Sequence, residues 1–583
     1  MYFLMRLTLI AVVVLTGSVL SAFVIATPAA LIILPILMAC FIARRRAQLS
    51  ALGTARWADA SDLKGMTSGL IVGRMDSRPP FIARVKALFD VSLSSKVAVQ
   101  QFLTNRTDLV RLSRAVHSAV FIPTGGGKGV SFVIPHLLTC PDSTVVVDFK
   151  GENARITANA RKGMGHRVVI LDPFRVVTNR PDTFNPLDFI DPNKPLAIDE
   201  CRDLAEALVV RTGQEKEPHW LDSAEVWMAA MIAAVVHFGK GSDKSLQSVR
   251  TVLSDPAKMD SIIKLMCDSD AWNGMLSRLG HQLLHFKDKE LGSTLTTTNR
   301  FMRFLDTLAI AESTKSSSFN PADLRNGKMT VYLVLPPEHM RAQSPLLRMW
   351  IGSLMRAVVR GGLQETHKVH VILDEAASLG RMEVLDDAVD KYRGYGLRLQ
   401  FYFQSLGQLK KSFPDGQDQT LLSNTSQVFA CVNDQQTAEY VSARLGDETI
   451  VLASGGSSRG TSYQSGENGQ RSTSYSSNHN DNWNQQARRL LKPEEVMALP
   501  ERIAISFMPG VPPIRTRLVR YYERDFSGGR SFKRFASVAA LLFLGLMLVL
   551  AVASAAAERN RNKVRDNIDK PFLGFEQRSF ERR

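Results

Sequence analysis

Cysteine is scarce and scattered in this chain. Its 583 residues include five, Cys40, Cys140, Cys201, Cys267 and Cys431, with no CxxC pair and no metal-ligand spacing. Neither a disulfide framework nor a zinc knuckle is indicated, and most of the chain suits a reducing compartment. Acidic residues are in deficit: 56 Asp and Glu stand against 72 Lys and Arg, a formal net charge of +16. That balance favours polyanionic partners, nucleic acid or anionic lipid, without choosing between them. Charged residues make up only 22% of the chain and hydrophobic ones 45%, which excludes disorder, a collagen-like repeat or a coiled coil as its general character. At roughly 100 to 200 residues per domain, the length implies about two to four units.

Charge is absent altogether from residues 7–43. At about 1.5 Å per residue this run is too long for one crossing of a hydrocarbon layer about 30 Å thick, and it fits two. Thr27 and Pro28 interrupt it near the middle, and Arg44, Arg45 and Arg46 close it. This is the pattern of a transmembrane hairpin over 1–46 with both ends cytoplasmic; a cleaved signal peptide followed by one span is the alternative. Residues 535–557 also lack charge, for about one bilayer crossing, and follow Arg530, Lys533 and Arg534. They read as a third span, with the polar tail 558–583 on the outside.

Between these runs, short apolar stretches alternate with helical patterns, as in a parallel sheet covered by helices on both faces. The expected strands are 118–124, 144–149, 167–171, 330–335, 369–373, 399–403, 428–432 and 503–507. The rhythm breaks over 199–319, where helix-like patterns occur without β-branched runs, and an all-α insertion is expected there. It divides the α/β part into 47–198 and 320–534. Within the second part, 454–486 is dominated by Ser, Gly, Asn, Gln and Thr, a composition that predicts a flexible polar loop. Its Tyr463, Tyr475 and Trp483 are either incidental or available to stack on bases.

Pro123-Thr124-Gly125-Gly126-Gly127-Lys128-Gly129 lies between an apolar strand and a helical pattern that begins near Val130. Glycines in that setting let backbone N–H groups converge on phosphates, and Lys128 reaches the β and γ oxygens. The candidate binding residues are therefore Thr124, Gly125, Gly126, Gly127, Lys128, Gly129 and Val130. The motif departs from GxxxxGK[ST]: Ile122 stands at the first glycine position and Gly129 at the Ser/Thr position. The usual hydroxyl ligand to magnesium is missing, and Ser131 is the nearest hydroxyl that could stand in.

The strand 369–373 ends in Asp374-Glu375, which puts two carboxylates at the sheet edge where open α/β folds bind ligands. Asp374 is expected to hold magnesium through water, and Glu375 to polarise the water that attacks the γ-phosphorus. Gln404 follows another strand and can sense the γ-phosphate and that water through its amide. The pair His281 and His285 sits one helical turn apart, but Gln282 replaces the glutamate that zinc-protease chemistry needs, so no metal is assigned there.

These motifs, in this order, resemble the TraG/TraD family of type IV secretion coupling proteins. The resemblance extends to Gly53-Thr54-Ala55-Arg56-Trp57-Ala58, Val147-Asp148-Phe149-Lys150-Gly151-Glu152, Leu171-Asp172-Pro173-Phe174, Phe184-Asn185-Pro186-Leu187, Gly394-Tyr395-Gly396 and Leu491-Lys492-Pro493-Glu494-Glu495-Val496. It implies a RecA-like P-loop NTPase motor domain interrupted by an all-α domain. It further implies ATP and Mg2+ as ligands, a homo-hexamer in the bacterial inner membrane, and relaxase, transferred single-stranded DNA and secretion-channel components as partners. Lys128, Asp374, Glu375 and Gln404 match the family's nucleotide-site positions, whereas a third span departs from its usual N-terminal anchor. Arg393, between the helix after Glu375 and the strand ending at Gln404, is expected near the ligand edge as an arginine finger for a neighbouring subunit. Two other readings are a non-hydrolysing ATP-binding receptor for secreted proteins and an FtsK-type DNA translocase.

The membrane assignment has a direct test. In spheroplasts, a cysteine introduced at Ser579 is expected to react with an impermeant reagent, and one at Ser412 is not; the opposite pattern would make 535–557 an internal helix.

Overall fold

The structure, a computed structural model, describes residues 52–75, 109–211, 217–364, 366–380, 382–414, 416–465 and 471–523. All of these up to Tyr521 belong to one compact unit. The hairpin expected over 1–46, the span over 535–557 and the tail 558–583 lie outside the described residues. Among those described, the one helix long and apolar enough to cross a membrane is His219–Phe238, and its apolar side chains are packed in the protein core.

In chain order the strands are β1 (Leu70–Met75), β2 (Leu109–Leu112), β3 (His117–Phe121), β4 (Ser143–Asp148), β5 (Arg167–Leu171), β6 (Met329–Val334), β7 (Val369–Leu373), β8 (Leu397–Phe403), β9 (Thr425–Ala430), β10 (Asp447–Ser465), β11 (Arg471–Arg489), β12 (Ile503–Phe507) and β13 (Ile514–Arg517). Eleven of them form one sheet in the order β2-β1-β13-β12-β9-β3-β8-β7-β4-β6-β5. From β9 to β5 every neighbouring pair is parallel. The run is apolar because both faces are covered: every residue of β3, β4, β6, β7 and β9 is buried, as central parallel strands require.

Alternation along these strands builds two cores. Ala119, Phe121, Val145 and Val147 face one side, and Val120, Ile122 and Val146 face the other. The second side is closed by the helix that follows β3, which opens with a π-helical turn over Gly129–Val133 and continues as α1 (Ile134–Leu137), and by α2 (Glu152–Gly163). The first side carries the helical insertion: α3 (Ala197–Leu208), α4 (His219–Phe238), α5 (Leu246–Ser254), α6 (Pro256–Cys267), α7 (Ala271–Leu283), α8 (Asp288–Met302) and α9 (Leu308–Thr314). It occupies the chain between β5 and β6. Ser245 and Asp255 start α5 and α6 by accepting backbone N–H bonds, and Pro256 fits the first turn of α6, where its missing N–H costs nothing. The long α10 (Met340–Arg360) anchors this layer through the fully buried Trp350, whose indole N–H donates to the Phe184 carbonyl at 3.4 Å. Beyond β7, α11 (Glu383–Asp390) leads toward β8, and α12 (Leu406–Ser412) follows it.

All eight expected strands form, within a few residues of their expected bounds. The expectation of a uniformly parallel sheet is corrected on one side: β12 pairs antiparallel with β9, and β13, β1 and β2 continue antiparallel beyond it. β2 and β13 have only four residues each and mix apolar residues with arginine or threonine, and β1 is interrupted by Gly73 and Arg74, so none of the three presents a continuous apolar run. Of the polar stretch 454–486, residues 454–465 lie in β10 and 471–486 in β11, which pair antiparallel in register from Asp447 opposite Arg489 to Ser465 opposite Arg471. Backbone pairing supplies the order that its side-chain composition does not promise. The Gly53–Ala58 motif ties the hairpin's base to the main sheet: the Ala55 N–H donates to the Asp447 carbonyl at 3.0 Å, and the Ala58 N–H to the carbonyl of Pro513, just before β13, at 2.8 Å. Ser412 is buried, which makes it a poor accessible control for labelling; Lys411 beside it is exposed.

Candidate functional site

Three adjacent parallel strands, β3, β8 and β7, run out at one edge of the sheet: β3 and β8 end level, Phe121 opposite Phe403, and β7 ends two residues earlier, Leu373 opposite Phe401. Each apolar run stops at the sheet edge, and the next residues are the polar ones. The loop 123–129 follows β3, Asp374 and Glu375 follow β7, and Gln404 follows β8. A cleft of about 660 Å³ opens at this edge, within the range of small-molecule and nucleotide sites.

The loop turns through Gly125 and Gly127, whose φ angles of +86° and +89° only glycine adopts without strain. The Gly126 N–H closes the turn on the Pro123 carbonyl at 3.1 Å, and the Ser131 N–H reaches back to Gly127 at 2.9 Å. Ser131 is buried beneath the loop. A Cβ at Gly129 would meet no atom within 4 Å, so crowding at that carbon is not what requires glycine there.

Lys128 extends across the cleft. Its Nζ lies 3.3 Å from Asp374 Oδ1 and 3.3 Å from Glu375 Oε2, and donates to the Asp374 carbonyl. The other oxygen of Glu375 accepts from Gln404 Nε2 at 3.2 Å and from Gln408 Nε2 at 2.9 Å. Gln408, on α12, also accepts the Gln404 N–H at 2.6 Å. Lys128, Asp374, Glu375 and Gln404 are thus brought together, and Thr124, Gly125, Gly127, Gly129 and Val130 line the same cleft.

Burial raises the Asp374 carboxyl above its ordinary range, an effect that Lys128 opposes. Asp374 Oδ1 is buried, lies at ion-pair distance from Lys128, and accepts no hydrogen bond. A carboxylate oxygen whose one close cationic neighbour is Lys128, beside the Glu375 carboxylate, fits a hard divalent cation such as Mg2+ once Lys128 moves to a phosphate.

Arg393 requires a correction. It lies in the turn before β8, at the end of the sheet opposite the cleft. Its carbonyl accepts from Arg398, and its charge helps hold down the His117 imidazole at the start of β3. Connection order hid this, because the chain returns to the amino end of each parallel strand before entering it. Arg393 is exposed there.

Residues unforeseen as site groups include Gln408, Asp148 and Arg520, and Asp148 and Arg520 line the cleft. Gln408 had a weak signal, one helical turn after Gln404. Arg520 had none: it arrives from the antiparallel extension, where the Tyr521 N–H donates to the Val130 carbonyl at 3.1 Å. His281 and His285 are exposed on or just beyond α7, and His281 Nδ1 lies 2.9 Å from the Ser277 carbonyl of its own helix.

Residues 83–542 match the family model described as type IV secretory system conjugative DNA transfer. The chain is 28% identical over 491 residues to protein VirD4 of Rhizobium radiobacter, covering 83% of this chain but 65% of that protein. With the conjugal transfer protein TraG of Escherichia coli it shares 25% identity over 472 residues, 77% of this chain and 71% of that one. Its fold is similar to that of the plasmid coupling protein TrwB solved in complex with ADP and Mg2+, with a TM-score of 0.50 and 18% identity over 69% of this chain and 85% of the other.

Asp148 gives the site a pH signature. Burial raises its carboxyl to about 6; the Ala154 N–H, donating at 2.9 Å, opposes this and the Asp374 charge adds to it. The folded state therefore binds this proton more tightly than the unfolded chain. The resulting stability is complete below about pH 4 and is lost as pH rises to about 6, a loss of about 3 kcal/mol at neutrality. Asp148→Asn keeps an acceptor for Ala154 without the charge. Its unfolding midpoint is expected to match wild type near pH 4 and to exceed it at pH 7.5; a difference that does not change with pH would refute this.

Proposed function

The chain belongs to the type IV secretory system conjugative DNA transfer family, and from that premise we propose that it is a membrane-anchored coupling ATPase that drives DNA, or a DNA-bound relaxase, towards a secretion channel. The observation that carries the proposal is the bridging of Lys128 to Asp374 and Glu375, with Gln404 and Gln408 holding the far oxygen of Glu375.

In this geometry Lys128 neutralises two carboxylates that otherwise repel each other. An entering triphosphate offers Lys128 a stronger anionic partner, and its transfer to the β and γ oxygens leaves Glu375 free to accept a proton from the attacking water. Gln404, already bonded to Glu375, is positioned to follow that change and pass it into β8. Mg2+, when bound, supplies positive charge to the phosphate oxygens, and Asp374 is the residue to hold it through water. The ADP and Mg2+ in the similarly folded TrwB support this choice of ligands. The carboxylate network favours hydrolysis over a purely binding role, even though Gly129 brings no hydroxyl.

We take the working form to be a homo-hexamer at the inner membrane. In a head-to-tail ring each interface joins two different faces of the subunit. A residue remote from its own site, as Arg393 is, can then serve its neighbour's. The net charge of +16 suits a DNA substrate.

ATP hydrolysis by the purified chain, with and without single- and double-stranded DNA, tests the activity; a chain that binds ATP and never hydrolyses it returns the receptor reading. Lys128→Ala is expected to abolish transfer with membrane insertion intact. Glu375→Gln is expected to bind ATP while turnover falls about 10²- to 10⁴-fold, and equal loss of binding in both variants would contradict these roles. For Arg393, rings mixed from Arg393→Ala and Lys128→Ala subunits are expected to recover part of the activity, since some interfaces then pair an intact Lys128 with an intact neighbouring arginine worth about 10³ to 10⁵ in rate. No recovery in verified mixed rings would remove Arg393 from the site.

A further inference from the structure

Four residues, about 13 Å of strand, separate the cleft from a second cluster of reactive side chains beneath it. His136 on α1, Cys140 just past that helix and His370 on β7 are all buried, and their ligand atoms lie within 4.8 Å of one another. The described residues hold no other group of three or more metal-ligating side chains that close. The two imidazole rings meet edge to face with centroids 4.8 Å apart.

The surroundings are arranged as a metal's supporting groups are. His370 Nε2 faces Asp142 Oδ2 at 3.5 Å, so a metal that displaced one ring proton would leave the other on that side and bind through Nδ1. This is the carboxylate–histidine pairing that fixes ligand tautomers at metal sites. The Gln400 side-chain amide sits between the histidines, 3.0 Å from His136 Nε2 and 3.4 Å from His370 Nδ1. Turned through half a rotation, it presents Oε1 at the same point.

We propose that His136, Cys140 and His370 bind one zinc ion, with the Gln400 amide oxygen as the fourth donor. One thiolate and two imidazoles form a borderline-soft set that suits Zn²⁺ over Mg²⁺ or Ca²⁺. Zinc at about 2.0–2.3 Å from each donor sets donor separations near 3.5 Å, so binding draws the cluster in from its outer separation of 4.8 Å. The chain connections give the site its consequence. His136 is on the helix launched by Lys128, His370 is on the strand that ends at Asp374 and Glu375, and Gln400 is on the strand that ends at Gln404. The ion would hold the three roots of the cleft at a fixed spacing. The proposal does not depend on hydrolysis.

The test is metal content. The full chain, purified in detergent through a tag that uses no metal and in buffers free of chelator, is expected to carry about one zinc per protomer by mass spectrometry. X-ray absorption at the zinc edge is expected to show one sulfur and two imidazoles. Cys140→Ser and His370→Gln are each expected to lose most of the metal. Wild-type chain that stays zinc-free after incubation with Zn²⁺ and removal of the excess overturns the proposal, as does zinc retained in full by both variants. Should the variants fail to fold, the wild-type absorption spectrum decides, and a first shell without sulfur overturns it.

Discussion

The rest of this molecule depends on β3, β8 and β7 running out, in parallel register, at the same edge of the sheet. Lys128, Gln404 and the Asp374–Glu375 pair come from segments far apart in the chain, and they meet because parallel register carries three strands to one edge together. Lys128 then closes the gap with contacts to both carboxylates at 3.3 Å. A shift of one residue in any of the three strands would turn its side chains to the opposite face of the sheet and move its polar terminus by about 3.3 Å, out of contact. The apolar register along β3, β7 and β8 therefore serves the site as directly as the polar residues do.

What holds that register is a core on each face, together with buried polar groups that tie the second face down. Arg161, fully buried on α2, donates to the carbonyls of Leu137, Cys140 and Asp142, to Thr330 Oγ1 at 2.8 Å, and contacts His166 Nδ1 at 3.1 Å. A guanidinium without an ion-pair partner within the core is tolerable because its donors are spent on oxygens and a ring nitrogen. It fastens the chain leaving α1 to the strands beneath. Loss of any of these bonds would loosen the helix on which the phosphate loop rests. The His136–Cys140–His370 cluster adjoins the same clamp.

Much of this was open to direct reading. A parallel strand buried on both faces has to be apolar almost throughout, so its residues announce it, and the eight expected strands all form. The phosphate loop and the carboxylate pair were legible for a related reason: each follows such a strand at once. Short strands at the antiparallel side carry polar residues on an exposed face and leave a faint trace, as β2 with its LVRL does. β10 and β11 are joined by backbone pairing, which composition does not encode. Arg393 was misplaced because adjacency in the chain says nothing about which end of a parallel strand a turn occupies.

The sequence by itself determined the alternation of strand and helix, the break for an all-α insertion, the lysine and the two carboxylates of the candidate site, and the excess of positive charge. These are local patterns, set by the period of burial and by the backbone freedom of glycine. Only the tertiary structure decided which strands are neighbours, that Gln408 and Arg520 stand at the cleft, that Arg393 lies at the far end of the sheet, and that a lone cysteine keeps company with two histidines. Each of these depends on chain segments tens to hundreds of residues apart, and their meeting follows from the order of strands in the sheet, which no single stretch of sequence carries.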